Sequence, residues 1–485
     1  MLPMLKRLIK FAAMVVVALA AIGTAMYAFG GRIYMDGGGG LHIGFPESPI
    51  AHEQTVEQHR KAQESAAAAG ATPPSPTAPI SAAEPATSPP AAPPAATATA
   101  GDWTDFRGPA RDGVYRGPRL LATWPVTGLK PVWKQPVGEG YASFVVARGR
   151  AFTIEQRGER EVVAAYDVGT GRQIWTNAWP AAFREFMGGD GPRATPTFAD
   201  GFVYALGAQG ELRCLEAATG HVIWRTNILD DAAAPNVQWG MAAAPLLVDD
   251  TVVVHPGGPD GKSVVAYNKR TGARVWSSQN DAAGYASPVL ATIAGVRQIV
   301  VFSATRLMGL KPEDGSFLWD YPWRTQADIN ASQPLLIGDN RVFLSSGYGV
   351  GAAVIELSRE GSVFKVREVW RNTKIKNRFN SSVLKDGYIY GFDESIMACV
   401  DAATGDLKWK GGRYGYGQLL LSGDQLVVLT EEGELVLVRA TPQGHQELAR
   451  FEAISGKTWN HPAITDGLLL VRNLREMAAF DLRQK

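Results

Sequence analysis

Residues 214–224 read CLEAATGHVIW, and the same pattern returns three more times along the chain. In each copy an Asp, Glu or Asn precedes Thr-Gly, and a short stretch rich in β-branched residues then ends at tryptophan. Glycine permits the positive φ of a tight turn, and the acidic or amide side chain can hydrogen-bond the turn backbone. The pattern therefore predicts two antiparallel strands joined by a tight turn. The other copies are AYDVGTGRQIW at 165–175, AYNKRTGARVW at 266–276 and CVDAATGDLKW at 399–409.

Weaker copies extend the series along the chain. GLKPEDGSFLW ends at Trp319, VIELSREGSVFKVREVW ends at Trp370, and LVRATPQGHQELARF ends at Phe451. Between the copies lie further strand–turn–strand stretches, such as ATPTFADGFVYAL at 194–206. A recurrence of roughly 40 to 50 residues with four short strands, A to D, in each unit is typical of a β-propeller.

The count of units predicts how the ring closes. Seven complete units follow Tyr141, and an eighth begins near Asn460 without room for its fourth strand. The strand around Trp133 fits that gap, and closure in this way removes the open sheet edges. We therefore predict an all-β fold, an eight-bladed β-propeller of four-stranded antiparallel blades, over residues 102–485. The tryptophans are expected to dock between adjacent blades: Trp133, Trp175, Trp224, Trp276, Trp319, Trp370 and Trp409.

The N-terminus has a different composition. Residues 11–30 carry no charge and follow Lys6, Arg7 and Lys10, so they are long enough to span a bilayer as a transmembrane helix. The basic residues place the tail, residues 1–10, in the cytoplasm and the propeller on the periplasmic side of the inner membrane. A cleaved signal peptide is the alternative.

A linker is predicted between the anchor and the propeller. Residues 31–101 are rich in Ala and Pro, a composition that cannot bury a core and predicts a disordered tether. A patch around residues 53–65 can form a helix.

The net charge and the positions of the cysteines exclude one kind of partner and one disulfide. The net charge of +1 excludes a nucleic-acid partner held by bulk charge. Cys214 and Cys399 fall in equivalent places on opposite sides of the predicted ring, and a disulfide needs Cα atoms within about 7 Å. We expect both to be small buried side chains.

The predicted connections from strand D to the next strand A share one face of the propeller, which we call the mouth. The connections after Trp175 and Trp224 are the longest. A ring of polar side chains over a channel predicts a binding site, although each member has a structural alternative, as a turn residue, an ion-pair partner or a buried hydrogen-bonding group. The candidates are Asp190, Arg193, Gln238, Trp239, Asn330, Gln333, Arg378, Asn380 and His461.

The repeat A-x-D-x-x-T-G-x-x-x-W resembles the tryptophan-docking repeat of pyrroloquinoline quinone (PQQ) dehydrogenases. The opening WTDFRGPARDG at 103–113 is similar to the single-domain PQQ-like propellers related to BamB, the outer-membrane assembly propeller. The resemblance covers residues 103–482 and implies the fold more strongly than an activity.

Two functions follow as expectations. The first is a scaffold, anchored in the lipid bilayer, that binds envelope or membrane proteins or a small ligand, with no catalytic residue, metal or cofactor. The alternative is a PQQ-dependent alcohol or sugar dehydrogenase with PQQ and Ca²⁺ at the mouth. Quinoprotein enzymes usually carry a disulfide of neighbouring cysteines over the quinone, and this sequence has no neighbouring cysteines.

Overall fold

The repeats fold into antiparallel sheets arranged around a channel. The computed structural model describes residues 14–18, 21, 23–24, 32–35, 40–44, 49–70 and 101–484. Residues 101–484 form eight sheets, and in each sheet four neighbouring antiparallel strands form a blade with strands A to D. This confirms the eight-bladed propeller. The A strands of neighbouring blades contact one another around most of the ring, so they line the channel.

Burial explains the hydrophobic pattern of each blade. In blade 1, strands B and C are buried on both faces, whereas strand D exposes most side chains between its buried tryptophans. The strands of the first four blades, in the order A to D, are Val145–Ala147, Arg150–Arg157, Arg160–Asp167 and Gln173–Pro180 (blade 1); Thr197–Ala199, Phe202–Leu206, Glu211–Glu216 and Val222–Asn227 (blade 2); Leu246–Val248, Thr251–Val254, Val264–Asn268 and Arg274–Ser278 (blade 3); and Val289–Ile293, Val296–Phe302, Arg306–Leu310 and Phe317–Pro322 (blade 4).

The second half of the ring repeats this arrangement. Its strands are Leu335–Ile337, Arg341–Ser346, Gly351–Glu360 and Val363–Asn372 (blade 5); Val383–Lys385, Tyr388–Asp393, Ile396–Asp401 and Leu407–Arg413 (blade 6); Gln418–Ser422, Gln425–Leu429, Glu434–Arg439 and Glu447–Glu452 (blade 7); and Ala463–Thr465, Leu468–Arg472, Glu476–Asp481 and Trp133–Pro136 (blade 8).

Blade 8 joins the two ends of the domain. Its strands A to C come from the end of the chain, and its strand D is Trp133–Pro136. The antiparallel register places Trp133 opposite Ala479 and Pro136 opposite Glu476. The outer edge of the last C strand is therefore paired rather than open.

Most repeat tryptophans dock onto the Thr-Gly turn of the next blade, as predicted. Trp175 Nε1 donates to the Ala217 carbonyl at 3.0 Å, and its indole packs against Gly220 at a point where an added Cβ would lie 2.5 Å from the ring. The same hydrogen bond to the next blade is made by Trp133 to Val168, Trp224 to Lys269, Trp276 to Pro312, Trp370 to Ala402 and Trp409 to Thr441.

Trp319 departs from this rule. It is buried in one apolar cluster with Val342 of blade 5, but its Nε1 donates to Gln298 Oε1 of its own blade at 2.5 Å. In blade 5 the long hairpin of Gly351–Glu360 and Val363–Asn372 replaces the Thr-Gly turn. The indole therefore packs between blades and takes its hydrogen-bond acceptor from within blade 4.

The opening segment, residues 103–115, fills the channel, and we call it the channel plug. Trp103 pairs with strand A of blade 1, and Val114–Tyr115 pairs in parallel with strand A of blade 7. Between them Arg107 Nη2 donates to the Ser382 carbonyl at 2.6 Å, and Arg111 Nη1 donates to the Pro288 carbonyl at 3.0 Å. Both arginines are buried, so the plug occupies and closes the channel.

A helix before the plug packs on the outside of the ring. Helix α1, Pro49–Gly70, lies against strand D of blade 8 and strands B and D of blade 1. Val56 is 2% exposed and Arg60 is 7% exposed. The helix contains the patch at residues 53–65 that the sequence indicated as helix-capable, and contacts with polar groups on the blades bury one face of it. Further elements are the hairpin Arg32–Met35 with Leu41–Gly44 and the short helix α2, Ile228–Ala232.

The predicted transmembrane segment, residues 11–30, lies mostly outside the described residues. Within the ranges that are described, no helix is both long and apolar enough to cross a membrane. The two cysteines are free and buried, as expected.

Candidate functional site

Seven of the eight connections from strand D to the next strand A, together with Gln418 of strand A in blade 7, line one cavity at the mouth, with a volume of about 280 Å³. Phe106, at the tip of the channel plug, contributes to its lining. A closed floor makes the cavity a cup that opens on one face only. Its lining comprises Phe106, Tyr141, Met187, Gly188, Arg193, Thr195, Trp239, Ala242, Tyr285, Ser287, Ile329, Ala331, Tyr348, Arg378, Phe379, Gln418, Trp459 and His461.

Aromatic rings form much of the wall and contact one another. The Trp459 ring centroid lies 4.5 Å from that of Phe379 and 5.2 Å from that of Tyr141, with which it stacks. Across the cup, Trp239 and Tyr285 meet edge to face at 5.8 Å. Contacts between rings fix their orientation, so the wall presents a preformed apolar surface.

Arg193 is held in place by the loop that carries it. Its Nη1 donates to the Gly191 carbonyl at 2.6 Å and its Nη2 donates to the Gly189 carbonyl at 2.7 Å. The guanidinium also lies over the rings of Phe183 at 4.8 Å and Tyr141 at 5.5 Å. Burial lowers the pKa of Arg193, yet an arginine remains charged near neutral pH. The cup therefore contains a fixed positive charge.

Arg378 is placed differently. Its Nε donates to Glu394 Oε2 at 2.6 Å, and its guanidinium lies over the rings of Tyr348 at 4.5 Å and Tyr416 at 4.7 Å. A paired carboxylate offsets much of its charge, so Arg378 adds a cationic face to the wall with little net charge.

Two further groups lie near the floor and rim. Lys457 Nζ donates to the Gly188 carbonyl at 3.0 Å and lies 4.2 Å from the Trp459 ring centroid, and burial lowers its pKa to about 8.

His461 Nδ1 and Nε2 lie 2.7 Å and 3.1 Å from the carbonyl oxygens of Pro462 and Leu419. Burial, aided by the nearby Arg107 charge, lowers the His461 pKa to about 3. The imidazole is thus neutral and engaged with the backbone.

The structure places four of the nine predicted mouth residues in the cavity lining: Arg193, Trp239, Arg378 and His461. Asp190 instead binds within its own loop, because Oδ2 pairs with Arg184 at 3.1 Å and Oδ1 accepts from the Glu185 N–H. Gln238 is exposed outside the lining.

The remaining three predicted residues are buried in the scaffold around the cup. Asn330 Nδ2 donates to the carbonyls of Ser303 and Ala304, and Asn380 Nδ2 donates to the Gly417 carbonyl. Gln333 is 2% exposed and its backbone N–H donates to Ser381 Oγ. The amides of Asn330 and Asn380 bond the backbone of connections, which is why polarity alone did not separate these residues from lining residues.

Sequence reasoning missed most of the aromatic lining. Tyr141, Tyr348, Phe379 and Trp459 all lie in connections or turns at the mouth. A search for aromatic residues shortly before each inner strand would have found Tyr141, Phe379 and Trp459. Phe106 had no such signal, because nothing in the sequence shows that residues 103–115 enter the channel.

The residues of the mouth do not fit bound calcium. Calcium takes six to eight oxygen ligands, usually with carboxylates among them. The cavity lining has no carboxylate, and across the described residues no group of three or more His, Cys, Asp or Glu side chains is placed to hold a metal ion. Asp281, in the connection between blades 3 and 4, lies outside the cavity lining and accepts hydrogen bonds from the hydroxyls of Ser303 and Thr305.

Comparison with solved structures shows the same fold. BamB from Moraxella catarrhalis superposes with a TM-score of 0.54 at 15% identity, covering 74% of this chain and 98% of that one. Quinohemoprotein alcohol dehydrogenase from Comamonas testosteroni gives a TM-score of 0.56 at 13% identity, covering 79% of this chain and 81% of that one. At such low identity these likenesses concern the fold alone.

Sequence comparisons identify relatives. The outer membrane protein assembly factor BamB of Burkholderia pseudomallei is 24% identical over 357 residues, which covers 64% of this chain and 87% of the relative. That of Shewanella oneidensis is 22% identical over 378 residues, with coverage of 63% and 88%. The sequence model of the family described as outer membrane protein assembly factor BamB matches residues 158–411, from the B–C turn of blade 1 to strand D of blade 6. The chain therefore belongs to this family of PQQ-like, BamB-related propellers.

Proposed function

We propose that this protein is an extracytoplasmic binding module that holds another envelope protein at the mouth of its propeller. The observation that carries the proposal is the cup itself, where aromatic rings from several blades contact one another and surround two positioned guanidinium groups. Aromatic and arginine side chains in a preformed concavity are the groups that dominate protein–protein binding energy. The relatives named as outer membrane assembly factors support the same role.

The chemistry of the cup favours binding over catalysis. Its titratable lining residues are arginines, tyrosines and His461. His461 has a pKa lowered to about 3, with burial as the largest cause, and burial raises the pKa of Tyr285 to about 12. A general base works best with a pKa near the working pH, and neither group meets that condition.

A photo-crosslinker tests the binding site in the producing cell. Met187 lines the cavity, whereas Thr219 lies exposed on a C–D turn at the opposite face, so a benzophenone amino acid at residue 187 has a matched control at residue 219. We expect residue 187 to capture a defined envelope protein, identified by mass spectrometry, and Trp239→Ala to reduce the yield. Equal capture from both positions, or none from residue 187, would contradict the proposal.

We further propose that residues 11–30 anchor the module in the inner membrane. Support comes from twenty uncharged residues preceded by three basic ones. Alkaline carbonate extraction of cell membranes should leave the full-length protein in the pellet, and Leu or Val to Lys changes within residues 11–30 should release it. Extraction of the unaltered protein by carbonate would contradict the anchor.

A dye-reduction assay tests the enzymatic alternative. The purified protein, incubated with PQQ, Ca²⁺ and short alcohols or aldoses, is expected to reduce an artificial electron acceptor no faster than the background. Turnover that disappears in Arg193→Ala would establish a dehydrogenase site at the mouth and displace the binding proposal.

A further inference from the structure

We propose that the cup at the mouth captures the C-terminal end of the partner polypeptide, with the terminal carboxylate on Arg193 and an apolar last side chain against the aromatic wall. This inference rests on the proposed function, since it names the part of the partner that the mouth recognises. Capture of a chain end by a fixed positive group is an established mode of peptide recognition.

The charge of the cup favours an anionic ligand. Arg193 and Arg378 are the charged side chains among the described lining residues, because His461 is neutral, and no carboxylate belongs to the lining. Arg378 is already paired with Glu394 at 2.6 Å. Arg193 is bound to two backbone carbonyls. Among the described residues it forms no ion pair, and the charges of Glu185 and Asp190 act on it from a greater distance. The cup is therefore complementary to one anionic group.

The Arg193 guanidinium is preorganised for a carboxylate. A guanidinium carries five N–H donors, and the two carbonyl contacts of Arg193 leave several donors for a ligand. The rings of Phe183 and Tyr141 hold its plane. A carboxylate has two oxygens in the geometry that a guanidinium binds well, so binding requires little rearrangement of the loop.

The shape of the cup fits the end of a chain. The channel plug closes the floor at Phe106, so a chain cannot thread through the propeller. A volume of about 280 Å³ is at the lower limit of about 300 Å³ for ligand pockets. The cup thus accepts one or two residues at the end of a chain, with an aliphatic or aromatic side chain on Phe106, Trp239 and Tyr285.

Labelled hexapeptides ending in Phe, Trp, Leu or Val provide the test, each made as the free acid and as the C-terminal amide. With the full chain in detergent, fluorescence anisotropy should show at least one free acid bound tenfold or more tightly than its amide, as expected for a hydrogen bond to a charged group. Arg193→Gln should abolish that difference, whereas Arg172→Gln, an exposed arginine on the opposite face, should preserve it.

Other outcomes would reject chain-end capture without rejecting the proposed function. Equal affinity for acid and amide, or no binding of any peptide while residue 187 still crosslinks a partner, would reject chain-end capture alone. Indole-3-acetate or phenylpropionate bound as tightly as the peptides would assign the carboxylate site to a free aromatic acid. Circular dichroism of Arg193→Gln excludes loss of fold, and Arg193→Lys should restore part of the preference for the acid.

Discussion

Gly220 satisfies two constraints at once. Its φ of 76° lies in the left-handed region that favours glycine, and an added Cβ would stand 2.5 Å from the indole of Trp175 in the preceding blade. The same close approach joins Trp133 to Gly171 and Trp224 to Gly272. The glycine of one blade and the tryptophan of the previous blade therefore form a single contact, which explains why the two residues repeat together.

The substitution Gly220→Ala separates these constraints when it is compared with Gly295→Ala. Gly295 has the same φ of 76° but open space around its Cβ position. Both changes carry the cost of a left-handed alanine, about 1–2 kcal/mol, and only the first displaces a tryptophan, which adds about 1–3 kcal/mol. Urea denaturation measures both free energies of unfolding. Equal losses would mean that the indole moves aside without cost.

Glu161 predicts a pH dependence. It is fully buried, and burial raises its pKa from 4.5 to about 7 although the Ala208 N–H donates to it. The stability gained from the protonated form is complete below pH 4.5 and is lost as the pH rises towards 7. Between pH 4 and 8 the free energy of unfolding of the unaltered protein should fall by about 3 kcal/mol more than that of the Glu161→Gln variant. Parallel pH profiles from denaturant melts would contradict the raised pKa.

At the scale of elements, helix α1 contacts both blade 8 and blade 1 and so links the first and last blades of the ring. Arg60 Nη2 lies 3.3 Å from Glu155 Oε1 of blade 1, while His52 Nε2 lies 2.7 Å from the Val137 carbonyl beside blade 8. Glu155 is fully buried. Burial opposes its ionisation, yet Arg157, Arg60 and Arg472 together lower its pKa to about 2. The helix therefore contributes one of the cations that a buried carboxylate requires.

Removal of that cation should weaken the domain. Arg60→Ala leaves Glu155 with fewer partners, and we expect the free energy of unfolding to fall by about 1–3 kcal/mol, less than the 3–5 kcal/mol for a buried pair that is broken outright. Lys61→Ala is the matched control, since Lys61 is 71% exposed on the same helix, and should change the value by less than about 0.5 kcal/mol. Guanidinium denaturation of the full chain gives both values. Identical results for the two variants would mean that α1 does not stabilise the ring.

At the scale of the molecule, closure depends on a strand encoded more than 300 residues before its partner (Trp133 opposite Ala479). Chains that start at residue 137 and at residue 117 both lack helix α1 and the channel plug. Only the first also lacks strand D of blade 8, so only the first exposes the edge of Glu476–Asp481. We expect the first to self-associate, because open edges pair with other chains, and the second to stay monomeric in light scattering. A monomeric product from residue 137 would contradict the role of this strand.

The periodic features of the fold could be predicted and the non-periodic ones could not. The strand spacing repeats in each blade and the glycine–tryptophan pair repeats in most of them, so one rule predicts the ring. The plug occurs once, and its buried arginines at 107 and 111 look like surface residues in a sequence. Arg193 and Trp239 were found because their loops are unusually long, whereas Tyr141 lies in a short connection that offers no such signal. The packing of α1 includes a contact with a buried carboxylate, Glu155, that strand alternation does not reveal.

The channel plug also changes how the ring is expected to unfold. In repeat proteins each unit contacts only its neighbours, so folding energies behave as a one-dimensional chain and units can be lost one by one. Here the channel plug is bonded to several blades around the ring. If one of these blades unfolds, the contacts of the plug with the other blades become weaker. Unfolding should therefore be cooperative across the whole ring. The contacts run from Trp103 to Val146, Thr104 to Phe198, Arg111 to Pro245 and Pro288, Arg107 to Ser382, and Val114 to Leu421, in blades 1, 2, 3, 4, 6 and 7.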